Sequence, residues 1–200
     1  MKNLLIATKN QGKVAEFADM MNDLEVNWLS LADKGIDFDV VEDGDTFTAN
    51  AILKVKAYAA AAGIMTLADD SGLEVDALNG EPGLYTARYG GPGLSHEERY
   101  QFLLKNLVDV PEEKRTAQFR CVIVVADGNG EILTTAEGIC PGRIAFTPRG
   151  ANGFGYDPVF VPDGKGGRTM AELLPEEKHP ISHRGRAIEA LAPFLRELLA

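Results

Sequence analysis

The apolar and polar positions alternate between two periods along this chain. Residues 3–7 (Asn-Leu-Leu-Ile-Ala) form an apolar run that predicts a buried strand ending at Thr8. Over 13–22 the apolar positions Val14, Phe17, Ala18 and Met21 return at the spacing of a helix face. A strand is predicted near 26–29. Asp45 or Thr46 is placed to cap a helix running to Ala62, with Gly63 as its stop. Residues 64–68 predict another buried strand, ending at Asp69-Asp70-Ser71-Gly72. Ser95-His96-Glu97-Glu98 has the capping-box pattern and predicts a helix over about 96–107. Strands over about 117–127 and 131–139 flank Asp127-Gly128-Asn129-Gly130, a hairpin turn. A last helix runs from Arg184 to Leu199, and Pro193 inside it predicts a kink or an early break.

Strands and helices therefore mix without strict alternation. The pattern predicts an α/β fold built on a mixed sheet, bent into two lobes around a cleft, with residues 1–200 as a single domain. No apolar run approaches the roughly 20 residues that span a bilayer. The start, Met-Lys-Asn-Leu-Leu-Ile-Ala, is too short and too soon polar for a secretory leader, so a cytoplasmic protein is expected. The two cysteines, Cys121 and Cys140, form no CxxC and read as small buried hydrophobes.

The formal net charge is −10. Nucleic-acid binding leaves a basic footprint, so this balance argues against it. A small polyanion needs only a local group of cations, helped by a metal ion, so where the lysines fall matters more than how many there are.

Five segments carry candidate chemistry. Thr8-Lys9-Asn10-Gln11-Gly12-Lys13 lies between the first strand and the first helix, where helix-start N–H groups and the dipole favour an anion. It is neither a Walker A loop nor GxGxxG, and a solvated polar loop accounts for it equally well. Phe47, Asn50 and Lys54 share one face of the second helix, and Glu42 precedes it as a candidate metal ligand. A surface lysine and a solvated acid are the plainer alternatives. In Ala68-Asp69-Asp70-Ser71-Gly72, two adjacent carboxylates end an apolar strand, which is costly unless something positive meets them. Mg²⁺ suits carboxylate and phosphate oxygens, and one Asp can act as a general base. Strand alternation turns Asp69 and Asp70 to opposite sides, and a plain turn remains the alternative. In Gly153-Phe154-Gly155-Tyr156-Asp157-Pro158 the glycines allow close backbone approach and expose a ring able to stack on a base, or else the ring is a structural plug. Glu177-Lys178-His179-Pro180-Ile181-Ser182-His183-Arg184-Gly185 puts Ser182 at a cap position and two basic residues in the first turn, against the dipole, which a bound anion or carbonyl would explain. His96 and His179 have no metal-ligand spacing and read as structural.

In this order and spacing the segments resemble the inosine triphosphate pyrophosphatase family, from Leu5 to about Leu195. Thr8-x-Asn10-x-x-Lys13, Ala68-Asp69-Asp70-Ser71-Gly72, Phe154-Gly155-Tyr156-Asp157-Pro158 and Ser182-His183-Arg184-Gly185 carry the resemblance. It implies a curved mixed sheet in two lobes, a homodimer, and hydrolysis of non-standard purine triphosphates (ITP, dITP, XTP) to the monophosphate and pyrophosphate with Mg²⁺. The loop from Thr8 to Lys13, including Lys9, Gln11 and Gly12, would hold the triphosphate with Lys54 and Lys178. Asp70 would be the catalytic acidic side chain that orients or deprotonates water, with Asp69 and Glu42 helping to organise the metal. Ser71 would touch the substrate. Phe154 would stack on the purine beside Gly155 and Tyr156, and Asp157, His183 and Arg184 would read its edge. One departure stands out. The family commonly reads Phe-x-Glu-Asn-Ala on the second helix, and this chain has Phe47-Thr48-Ala49-Asn50-Ala51, so Ala49 can neither bind metal nor accept a proton. The competing readings are a related pyrophosphatase for pyrimidine or other modified nucleotides and a non-catalytic nucleotide sensor.

Overall fold

The computed structural model describes Lys2–Leu199, with the side chain of Leu199 left aside. Its strands are β1 (Lys2–Ile6), β2 (Val26–Ser30), β3 (Thr66–Val75), β4 (Thr116–Ala126), β5 (Ile132–Ile144) and β6 (Phe160–Pro162). Its helices are α1 (Gln11–Met20), α2 (Phe47–Ala62), α3 (His96–Asn106), α4 (Pro175–Lys178) and α5 (His183–Leu199). The strands form one sheet in the order β2-β1-β3-β4-β5-β6. β1 pairs parallel with β2 and β3, and β5 pairs antiparallel with β6, so the sheet is mixed as expected.

The chain divides into two compact units. The first takes residues up to Asp70, Cys121–Gly138 and everything from Arg184 on. Its core joins Leu4 and Ile6 of β1, Leu67 of β3 and Cys121, Ile123 and Val125 of β4 to Phe17 of α1 and to Ala187, Ile188, Leu191 and Leu195 of α5. Leu4, Leu5 and Ile6 are all buried, the mark of a strand covered on both faces. The second unit takes Ser71–Arg120 and Ile139–His183. Its core sets Leu73, Val75, Phe119, Ile144 and Phe160 against Leu103, Leu107, Tyr156 and Met170. β4 shows the change of environment within one strand. Thr116 to Arg120 alternate between buried and open positions, while Cys121 to Ala126 are buried without a break.

Local chemistry sets the helix limits. Thr46 accepts the N–H of Ala49 and caps α2, and Gly63 ends it in the left-handed region at φ 65°. Ser95 and Glu98 close a capping box on α3.

Three expectations need correction. The strand at 64–68 does not end at Asp69; β3 runs on through Asp69, Asp70, Ser71 and Gly72 to Val75, because Leu73 and Val75 enter the second core. β5 continues past residue 139, through Pro141 and Gly142, to Ile144. A Cβ at Gly142 would lie 2.3 Å from the Val161 carbonyl oxygen, so the missing side chain is what lets β6 pair there. α5 does not break at Pro193. The carbonyl that Pro193 leaves without its helical partner belongs to Glu189, an exposed residue, where water can take its place.

Candidate functional site

In the first unit the chemistry centres on β3. The loop after β1 is ordered by its own side chains: Thr8 Oγ1 accepts the Asn10 N–H at 3.2 Å, and Asn10 Oδ1 accepts the Lys13 N–H at 3.2 Å, capping α1. That cap fixes where Lys13 leaves the helix, and its ammonium donates to Asp69 Oδ2 at 2.7 Å. The guanidinium of Arg184 approaches the same oxygen at 3.6 Å and pairs with Glu16 on α1, one turn beyond Lys13. The Asp69 side chain is 1% exposed. Burial works against its charge, but Lys13, Arg184 and Lys54 outweigh burial and hold it far below the usual carboxylate range. Arg184 is buried too; the two carboxylates more than offset that burial and keep it charged.

Asp70 faces different partners. Lys54 Nζ lies 3.1 Å from Asp70 Oδ1 and donates to Glu42 Oε2 at 2.7 Å. Asn50 Nδ2 donates to Asp70 Oδ2 at 3.3 Å, while Asn50 Oδ1 accepts the Gly44 N–H at 2.8 Å. The helix face predicted from Phe47, Asn50 and Lys54 thus brings two of its three residues to Asp70. Strand alternation, which sends neighbouring side chains opposite ways, gives each aspartate its own lysine. Asp70 is raised above the ordinary aspartate value. Burial is the main cause and the Glu42 charge adds to it, against the opposing pull of Lys54 and Lys13. Lys54 is itself raised, because Asp70, Asp69 and Glu42 outweigh its burial.

Lys9 sits apart from this cluster. Its ammonium donates to the Asp37 carbonyl at 2.6 Å and pairs with Asp39 at 2.8 Å. Gln11 is exposed and Gly12 partly so. Among the described residues no group of three or more His, Cys, Asp or Glu side chains could hold a metal ion by itself. The donors present still fit a hard divalent cation. Two carboxylates, Glu42 and Asp70, share one ammonium, and Mg²⁺ is commonly held by one or two carboxylates plus phosphate oxygens and water. Asp69, directed to Lys13 and Arg184, is not part of that pair.

The second unit holds the aromatic set. Gly153 and Gly155 have φ of 75° and 64° and carry half-buried Phe154 between them. Asp157 Oδ2 accepts the Phe154 N–H at 2.9 Å and the Lys178 ammonium at 2.7 Å. Lys178 Nζ lies 5.2 Å from the centre of the Phe154 ring. His183 stacks on Phe119 with 4.7 Å between ring centres and 13° between planes. Tyr156 belongs to the core, its hydroxyl donating to the Thr86 carbonyl at 3.0 Å, and burial pushes its phenol far above the usual range. Ser71 is partly exposed on β3, and Ser182 donates to the His179 carbonyl at 3.3 Å.

Two sequence expectations change character here. Arg184, expected at the purine edge, has its guanidinium between Asp69 and Glu16, and those carboxylates explain a cation in the first turn of α5. Tyr156, expected beside Phe154 at the purine, is a buried member of the second core and bonds the Thr86 carbonyl. Sequence reasoning left two residues out of the site. Glu16 carried a signal, three residues after Lys13 and so on the same helix face. Asn50 was noticed on its helix face without a partner to assign it.

The Ham1 family model matches residues 4–194. A dITP/XTP pyrophosphatase of Geobacillus kaustophilus is 48% identical over 199 residues, covering 100% of this chain and 97% of that protein. The dITP/XTP pyrophosphatase of Bacillus subtilis is 44% identical over 195 residues, 98% of each chain. A HAM1 protein from Coxiella burnetii, of known structure, matches with a TM-score of 0.89 at 40% identity, covering 98% of this chain and 100% of that one. Likeness of this extent, end to end in both sequence and backbone, establishes that the chain belongs to the Ham1 family.

Proposed function

We propose that this chain hydrolyses the α–β phosphoanhydride of non-standard purine triphosphates (ITP, dITP and XTP), releasing the monophosphate and pyrophosphate. Relatives named dITP/XTP pyrophosphatase at 44–48% identity over their full lengths support the substrate class. The observation that carries the chemistry is the division between two adjacent carboxylates: Asp69 is held by Lys13 and Arg184, while Asp70 faces Lys54 and Asn50.

In this reading Lys13 and Lys54, with Thr8, Asn10 and the rest of the α1 loop, hold the polyphosphate and stabilise the charge that grows on departing pyrophosphate. Asp70 orients the attacking water and accepts its proton as oxygen bonds to the α-phosphorus and the bridging oxygen leaves with the β-phosphate. Asp69 acts through Lys13, fixing where that ammonium stands. Mg²⁺, held by Glu42 and Asp70, would neutralise part of the phosphate charge. Ala49 adds no third carboxylate, so Glu42 and Asp70 are the side chains that would hold the ion. Phe154 stacks on the purine, and Lys178 and His183 supply donors for the 6-carbonyl of hypoxanthine or xanthine. Adenine presents an amino group there, so donor would face donor. The family resemblance also supports a homodimer and a cytoplasmic setting; sedimentation would test the first.

The decisive measurement is a panel of inosine, xanthosine, guanosine and adenosine triphosphates with Mg²⁺, following pyrophosphate and orthophosphate separately. Pyrophosphate is expected from the inosine and xanthosine substrates at a large advantage over adenosine triphosphate. Equal rates on all four remove the specificity, and orthophosphate as first product removes the bond assignment.

A further inference from the structure

Asp157 sits deep in the loop that carries Phe154, and its surroundings define what its carboxylate does. The side chain is 6% exposed. One oxygen, Oδ2, accepts both the Phe154 backbone N–H and the Lys178 ammonium. The Asp157 N–H returns a bond to the Phe154 carbonyl at 3.2 Å, so residues 154–157 close on themselves from both directions. The Asp157 carbonyl accepts the Ala171 N–H at 3.1 Å and ties this turn to the neighbouring segment. Gly153 exists to make room for the same oxygen. A Cβ there would stand 2.0 Å from Asp157 Oδ2, and its φ of 75° already disfavours any other residue.

We propose that Asp157 is a positioning residue that sets the Phe154 ring and the Lys178 ammonium in a fixed relation to each other, and that it does not itself read the base. The inference rests on the functional reading above and deepens it. A base stacked on Phe154 meets an ammonium whose place is set by the carboxylate that also fixes the ring's backbone. The stacking face and the donor are therefore presented together, with little freedom left to lose on binding. A direct reader would behave differently: a carboxylate at the base edge would accept the N1–H of hypoxanthine, and discrimination would pass through that bond.

The two roles separate in the binding of products. Wild type is first assayed for pyrophosphate release from inosine triphosphate; if there is none, the functional reading and this inference fall together. With turnover established, inhibition constants are measured for inosine monophosphate, for the monophosphate of purine riboside (which lacks both the 6-carbonyl and N1–H) and for inorganic pyrophosphate. Asp157→Ala is expected to weaken both monophosphates alike, by about 10- to 100-fold, the effect of losing a charge-assisted buried contact. Pyrophosphate inhibition should stay as in wild type, which also shows that the first unit is intact. Asp157→Asn keeps an acceptor for the Phe154 N–H, and it serves where the alanine variant does not fold. It should keep whatever ratio wild type shows between the two monophosphates. Loss of a wild-type preference for inosine monophosphate in Asp157→Asn, or unchanged monophosphate binding in Asp157→Ala, overturns the inference while leaving turnover in wild type, and hence the functional reading, standing.

Discussion

The two units solve opposite problems with different materials. The first gathers charge: Lys13, Lys54 and Arg184 are interleaved with Glu16, Glu42, Asp69 and Asp70, several of them buried. The second relies on shape, with Phe154 between two glycines, His183 stacked on Phe119, and a buried ion pair from Lys178 to Asp157. Charges placed at low exposure hold one another in place and are costly to unbalance, because a lone buried ion has no solvent to replace its partner. Ring packing tolerates more. Damage to the first set should therefore reach turnover or stability, depending on which member is removed, and damage to the second mainly how the base is bound.

The largest effect is expected from Asp70→Asn. Removing a general base lowers kcat by about 10²- to 10⁴-fold, while the lysines still bind pyrophosphate. Because ionised Asp70 is disfavoured by its burial, the melting temperature should hold or rise. A variant retaining full kcat takes Asp70 out of the reaction. Next comes Arg184→Met, which keeps length and removes charge. Withdrawing one partner from a buried network costs about 3–5 kcal/mol, read as a fall in denaturation midpoint. An unchanged midpoint would show that Asp69 and Glu16 do not depend on Arg184.

The same network has a pH signature. Asp69 lies far below its ordinary value in the folded chain, because Lys13, Arg184 and Lys54 outweigh its burial. On acidification the unfolded chain takes up that proton first, near pH 4. The stabilisation is thus complete above about pH 4 and is lost as pH falls from there toward the native value. Melting temperature should drop between about pH 4 and pH 2, and Asp69→Asn should flatten part of that slope. A variant with an acid slope as steep as wild type would place the sensitivity elsewhere.

The contrast between the units also explains what the sequence made legible. Local rules were enough for α2, whose Thr46 cap and Gly63 stop are both written in neighbouring residues, and for the capping box of Ser95 and Glu98 that starts α3. They failed where distant residues decide. Asp69-Asp70-Ser71-Gly72 has the composition of a turn and becomes strand interior because cations from α1, α2 and α5 neutralise it. The run of β5 beyond residue 139 likewise depends on a distant segment, since Gly142 leaves the room in which β6 pairs. The identities of the site's charged residues were visible in their motifs, but their pairing was not: nothing near Arg184 in the chain announces Glu16 or Asp69 as its partners. In the second unit more could be read, since the glycines around Phe154 and Asp157 lie within five residues of one another.

A smaller effect is expected there. Phe154→Ala should weaken inosine monophosphate by about 10- to 100-fold, as loss of one base-stacking ring does, with pyrophosphate inhibition and melting temperature close to wild type. If pyrophosphate binding weakens equally, the ring supports the fold and the two sets do not divide the nucleotide as proposed.

The smallest effect is expected from Lys9→Ala, and it sharpens the comparison from within the first unit. Lys9 lies just before α1, four residues from Lys13, yet its side chain is more open to solvent than that of Lys13 and its partner Asp39 is more open still. Asp39 holds it above its ordinary value chiefly through their hydrogen bond. An open pair of this kind is screened by salt and adds little to stability, so the melting temperature should not move. If Lys9 nevertheless helps draw in a polyphosphate, its removal should raise KM at low ionic strength and leave kcat alone. The difference should vanish near 1 M salt, where the screening length is about 3 Å. A salt-independent rise in KM would instead mean that Lys9 touches bound phosphate directly, and that the charged set extends past its buried members to the open end of the loop.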